Sequence, residues 1–141
     1  MEPLDLRKRA PRGPRERLGG LTALPRTIDK ARATLPGGNL GVYFISPGIS
    51  AFVLGKLEVS ESEFLAIVAA AHDDDEIAAR VLTDIDPARI ARWSAALEGL
   101  TVEQVDPQTR PVFDDLYGPQ RPSDTVLDVI AQDDAKLFPS A

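Results

Sequence analysis

The chain has 141 residues, of which 43% are hydrophobic, with no cysteine, one histidine and a net charge of −6. That length fits one domain, and that hydrophobic fraction supplies a core, which excludes a wholly disordered chain. The lack of cysteine removes disulfides, thiolate metal sites and cysteine nucleophiles together, and the longest apolar runs fall far short of the roughly 20 residues that cross a bilayer.

The charge is unevenly spread. Residues 1–32 carry +5 and the rest of the chain −11. A basic segment on an acidic body attracts an anionic partner or folds back on its own carboxylates. The charged N-terminus has no apolar signal core, so no secretory signal is expected, and with the absence of cysteine the chain reads as cytoplasmic. Residues 1–24 are rich in Pro, Gly and Arg. Pro3, Pro11 and Pro14 rule out a continuous helix, while Leu4, Leu6, Leu18, Leu21 and Leu24 supply apolar anchors. This pattern predicts an irregular basic arm laid across the body of a single domain, 1–141.

The first predicted helix runs from Pro25 to about Leu35, with Leu24, Ile28, Ala31 and Leu35 on one stripe. Pro36-Gly37-Gly38-Asn39 breaks it. Leu40 to Ile45 reads as extended. Ser46-Pro47 then reads as a helix start with Ser46 as cap. Ser60 with Glu63, and Asp73 with Glu76, form capping patterns before two further helices. Asp86-Pro87 opens another, with Ile90, Trp93, Leu97 and Leu100 on one face, which makes Trp93 a core residue. Pro107 and Pro111 punctuate a less regular stretch around Phe113 and Tyr117, and Ser123-Asp124 opens the last helix. The expected fold class is mainly α, with five to seven short helices. The alternative is α+β with a short strand at 40–45.

Chemistry-bearing motifs are few. Neither a phosphate-binding Gly-rich loop with Lys-Ser/Thr nor a Gly-x-Ser-x-Gly elbow is present, and one histidine cannot build a two-histidine metal site. No metal and no cofactor are expected. His72 before Asp73-Asp74-Asp75 reads either as a carboxylate-oriented base or, more simply, as a helix C-terminus followed by the acidic first turn of the next helix. The acidic run lacks the alternation of a calcium loop. Arg26 and Lys30 stand four apart on one helix face, with Asp29 beside them and Arg12 and Arg15 shortly before. These residues read as a pocket for a phosphate or carboxylate, or as a salt-bridge network tying the arm to the body. Tyr43, in a Gly-flanked segment, reads as a pocket-lining hydroxyl or as a packed tyrosine.

The blocks Pro11-Arg12-x-Pro14-Arg15-x-Arg17-Leu18-Gly19-Gly20 and Leu24-Pro25-Arg26-x-Ile28-Asp29-Lys30-x-Arg32-Ala33 resemble the opening of an uncharacterised bacterial domain-of-unknown-function family. Gly41-x-Tyr43, Trp93-Ser94, Phe113 and Asp128-x-x-x-x-Asp133-Asp134 are similar to further landmarks of that family. The chain departs from the family's pattern at Gly41-Val42-Tyr43, where members carry Gly-Glu-Tyr, and at Ser46-Pro47, where they carry Cys-Pro. The resemblance implies no activity. The expected function is a small binding or interaction module with an anion site near the first helix, at Arg12, Arg15, Arg26, Asp29, Lys30 and Tyr43. The alternative is a small enzyme acting on an anionic metabolite, with Tyr43 or Asp29 carrying a proton. The expected partner is a small anionic ligand. A membrane is not expected, and the acidic body disfavours nucleic acid.

Overall fold

Seven α-helices and one short hairpin make up the computed structural model, which describes residues 1–139. In chain order they are β1 (Arg17–Leu18), β2 (Leu21–Thr22), α1 (Leu24–Arg32), α2 (Ile49–Leu57), α3 (Glu61–Ala70), α4 (Asp74–Val81), α5 (Pro87–Glu98), a 3-10 turn at Val102–Gln104, α6 (Arg110–Tyr117) and α7 (Val126–Leu137). The fold is mainly helical, as the capped amphipathic segments predict. None of these helices is long and apolar enough to cross a membrane.

The hairpin comes from Gly19 and Gly20. Both have positive φ (58° and 82°), the geometry of a two-residue turn that matches strand twist, and they bring Leu18 opposite Leu21 and Arg17 opposite Thr22. The arm therefore contains the molecule's only strand pair among the described residues. Residues 40–45 form no strand. Gly41 turns there at φ 59°, the Tyr43 amide donates to the Leu40 carbonyl at 3.0 Å, and only Asn39 pairs, bridging to Asp5 of the arm. A turn satisfies those backbone groups locally, so the apolar run Val42-Tyr43-Phe44 needs no sheet partner.

Helix α1 is the centre of the molecule. Every residue from Leu24 to Ala31 is buried. Leu24, Ile28 and Ala31 enter the main core with Val53 and Leu54 of α2, Phe64 and Val68 of α3, Ile77 of α4, Ile90 and Leu97 of α5 and Leu127 of α7. The helix ends at Arg32, earlier than the apolar stripe predicts, and a turn closed by the Gly38 amide on the Leu35 carbonyl at 2.8 Å follows it. Its polar face is buried too, because the arm and α7 lie over it.

Caps set most of the other helix starts. Ser60 accepts from the Glu63 amide, Asp73 from the Glu76 amide and Asp86 from the Ala88 amide. Two starts differ from expectation. Helix α2 begins after Gly48 rather than at Ser46, since Gly48 sits at φ 135°, a backbone conformation open to glycine. Helix α7 is capped by Thr125, whose hydroxyl accepts from the Asp128 amide, rather than by Ser123.

Trp93 is half-buried at the edge of the core rather than inside it. Ile90, Ser94 and Leu97, spaced i, i+4 and i+7, are the buried residues of α5. Ser94 holds the inner position because its hydroxyl is needed there: it accepts from the Thr22 amide at 2.9 Å and donates to the Gly20 carbonyl at 2.6 Å. Trp93 is displaced to the flank, under the Arg89 guanidinium at 5.2 Å from the ring centroid.

Candidate functional site

The basic arm and α1 meet the acidic body charge for charge. Asp29 is wholly buried and accepts from the Arg12 amide at 2.8 Å and from the Arg12 guanidinium at 3.0 Å. The other side of that guanidinium reaches Asp74, at the start of α4, at 2.6 Å. Arg15 pairs with Asp128 at 2.9 Å and Arg17 with Glu98 at 2.8 Å. Arg26, only 2% exposed, grips Asp134 of α7 with two bonds of 2.6 and 3.0 Å. The Tyr43 hydroxyl donates to the same carboxylate at 2.8 Å, and the Arg26 guanidinium carbon lies 5.5 Å from the Tyr43 ring centroid.

Lys30 stands one turn beyond Arg26 on the same helix face, and its situation is different. It is only 7% exposed, and among the described residues its ammonium nitrogen has neither a hydrogen-bond nor an ion-pair partner. It lines a cavity of about 230 Å³ whose walls are mostly apolar: Phe44 and Ile49 on one side, Val112, Phe113 and Leu116 of α6 on another, and Ile130 of α7. Arg26, Tyr43, Thr109, Tyr117 and Asp133 supply its other polar side chains. Among the described residues, no cluster of three or more His, Asp or Glu side chains is placed to hold a metal ion.

The electrostatics follow from this burial. Desolvation pulls the Lys30 ammonium down from its ordinary value of 10.5 to about 7; Arg26 pushes the same way, and Asp134 opposes both only in part. Burial, followed by the neighbouring Asp134 charge, raises the Asp133 carboxyl. The Tyr43 hydroxyl is raised well beyond its usual range by burial and by its bond to Asp134, and Tyr117 is raised by burial. Near neutral pH the site therefore holds an amine divided between its charged and free forms. Arg26 brings no uncompensated charge, because Asp134 lies across it. As an ammonium, Lys30 attracts an anion; as a free amine it is a base or a nucleophile.

Of the six residues singled out by sequence, Arg26, Lys30 and Tyr43 come together at the cavity, while Arg12, Arg15 and Asp29 lie outside it in ion pairs. Neither proton-carrier assignment fits the geometry. Asp29 is closed off between Arg12 and Arg32, and the Tyr43 hydroxyl is tied to Asp134 as a donor. The sequence marks Asp133-Asp134 only as family landmarks and Tyr117 only as part of an irregular stretch, and neither they nor the apolar wall from α6 are assigned to the site by sequence. One signal was readable. Val126, Ile130, Asp133 and Leu137 follow helical spacing and line one cavity wall, so Asp133 is a carboxylate set into an apolar stripe.

Residues 8–136 match the family described as a domain of unknown function, DUF5069. Both N-terminal blocks fall within that range. No curated protein matches the chain.

Proposed function

The chain belongs to that family, whose description carries no activity, and we propose that it is a small-molecule binding module whose ligand occupies the cavity beside Lys30. The ligand has an apolar body that packs on Phe44, Phe113 and Ile130 and one anionic group that faces Lys30. The observation that carries this reading is Lys30 itself, an almost fully buried side chain that has no hydrogen-bond or ion-pair partner among the described residues and lines a mostly apolar cavity. A buried ion without a partner costs folding free energy, and a ligand carboxylate would offset that cost. At about 230 Å³ the cavity is smaller than the roughly 300–1,000 Å³ of drug-sized sites, so the ligand is small.

Arg12, Arg15, Arg17 and Arg26 are engaged by carboxylates in this reading, which takes these four out of any basic stripe for nucleic acid or for an anionic membrane surface. The chain acts as one unit in the cytoplasm of a bacterium, with residues 1–24 as a fixed arm.

The test is a thermal melt of the wild type and Lys30→Met with hydrocinnamate, an aromatic ring on a short carboxylate chain, and with inorganic phosphate. Hydrocinnamate should raise the wild-type melting temperature, by the equivalent of about 2.7 kcal/mol at a hundredfold excess over Kd, and leave Lys30→Met unmoved. Phosphate, which lacks an apolar body, should do little to either. Equal shifts in both proteins, or none in the wild type, would remove Lys30 from the site.

A further inference from the structure

We infer that Lys30 Nζ is a nucleophile that condenses with the carbonyl carbon of a keto acid bearing an apolar side chain, forming an imine in the cavity. This rests on the proposal that the cavity is a ligand site, and it adds the reaction that the site performs.

Three observations carry it. The first is placement. The chain has four lysines; Lys8, Lys56 and Lys136 are exposed, and Lys30 alone is buried, at a cavity with mostly apolar walls. The second is freedom. A lysine that served only to neutralise a carboxylate would be paired with it. Here Asp134 is engaged by two Arg26 bonds and by the Tyr43 hydroxyl, and Asp29 by Arg12, and among the described residues no carboxylate, the cavity-lining Asp133 included, bonds to Lys30. The third is the surrounding charge. The groups that face Lys30 are Arg26 on its own helix, Tyr43 on the following loop, Tyr117 on α6, and Asp133 and Asp134 on α7. Burial and the Arg26 charge favour the free amine, the form that attacks a carbonyl, and the remaining ammonium fraction draws in the carboxylate of the keto acid.

The step balances without an oxidant or reductant. The Nζ lone pair forms a bond to the carbonyl carbon, and the carbonyl π pair moves to oxygen, which takes a proton as the nitrogen loses one. The resulting carbinolamine expels that oxygen as water, with the nitrogen giving up its second proton and closing the C=N bond. Amine and ketone become imine and one water. Asp133 lines the same cavity and is the carboxyl there that can pass a proton from the nitrogen to the departing oxygen.

The experiment traps the imine. Full-length protein is held with phenylpyruvate and sodium cyanoborohydride near pH 7.5, and the modified lysines are located by peptide mapping. Lys30 should label roughly tenfold or more faster than the mean of Lys8, Lys56 and Lys136, since an exposed lysine is almost wholly protonated at that pH. Hydrocinnamate, the same skeleton without the keto oxygen, should protect Lys30 and leave the exposed lysines unprotected. Labelling in proportion to exposure, or an unlabelled Lys30, overturns the condensation. If hydrocinnamate nonetheless raises the melting temperature of the wild type but not of Lys30→Met, the binding site stands without the reaction; if it does not, both fall. Because the mapping is done on the wild type, the outcome does not depend on a variant that folds.

Discussion

Lys30 costs the fold something as long as it is charged, and the sign of that cost is fixed by the direction of its shift. Its folded value, about 7, lies below the ordinary 10.5 that the unfolded chain keeps. Between those two values the unfolded state holds more of the proton, so raising the pH favours the folded state. Below pH 7 both states are protonated and the folded one carries the whole penalty. Stability of the wild type relative to Lys30→Met should therefore rise from pH 7 to pH 10, by at most about 1.4 kcal/mol per pH unit, and level off below pH 7. Urea melts of the two proteins at pH 6, 8 and 10 measure this. A stability difference that is flat over that range would mean that the amine keeps its ordinary proton affinity. Tyr43 works in the opposite sense only at higher pH, since its raised hydroxyl keeps a proton that the unfolded chain would release.

At the level of elements, α5 shows how a small polar residue outranks a large apolar one. The hairpin strand β2 lies against this helix, and it is Ser94, not Trp93, that joins them. A backbone amide at a buried position must find a partner, and the Ser94 hydroxyl serves the Thr22 amide and the Gly20 carbonyl at once. Ser94→Ala should cost about 1–3 kcal/mol by leaving the Thr22 amide unpaired in the core. Urea denaturation of the variant gives the figure, and Ser94→Thr checks that the hydroxyl rather than the volume matters. A loss under half a kcal/mol in Ser94→Ala would show that water reaches the Thr22 amide. The hairpin itself was legible, since Gly-Gly between Arg17-Leu18 and Leu21-Thr22 is a turn signal. It went unread because so short a pair of strands has no alternating pattern, and the many prolines and glycines around it suggest irregular chain.

Across the whole molecule, the +5 segment and the −11 remainder are joined by discrete ion pairs rather than by diffuse attraction. The pairs Arg15–Asp128 and Arg17–Glu98 are exposed and each contributes about 1 kcal/mol or less. The pairs made by Arg26 and Arg12 are wholly or partly buried, and Arg12 does the most to hold the arm, because its partner Asp29 is fully buried and because the same guanidinium ties α1 to α4 through Asp74. Arg12→Ala should destabilise the protein by about 3–5 kcal/mol, the cost of an uncompensated buried carboxylate, tempered by Arg32, which stays 3.8 Å from Asp29. Arg15→Ala should cost about 1 kcal/mol or less. The double variant Arg12→Ala, Asp29→Asn should recover part of the loss, since it removes the orphaned charge. Equal costs for Arg12→Ala and Arg15→Ala would mean that the arm is held by its buried leucines, Leu6, Leu21 and Leu24, rather than by its charges.

Much of the helical frame could be read directly from the sequence. Ser60, Asp73 and Asp86 cap the helices they were expected to cap, and the apolar spacing marks the buried faces of α1 and α7, because both signals depend on residues within one or two turns of each other. The grouping of Arg26, Lys30 and Tyr43 was also within reach, since they lie close along the chain. Tertiary structure decided what those residues do. Arg26 and its carboxylate are 108 positions apart, and Arg15 and Asp128 are 113 apart. With 16 basic and 22 acidic side chains, local pattern does not select which of them meet. That choice buries Asp29, occupies Asp134 and leaves Lys30 without a partner among the described residues, because pairing and desolvation are set by which surfaces the packed helices bring together.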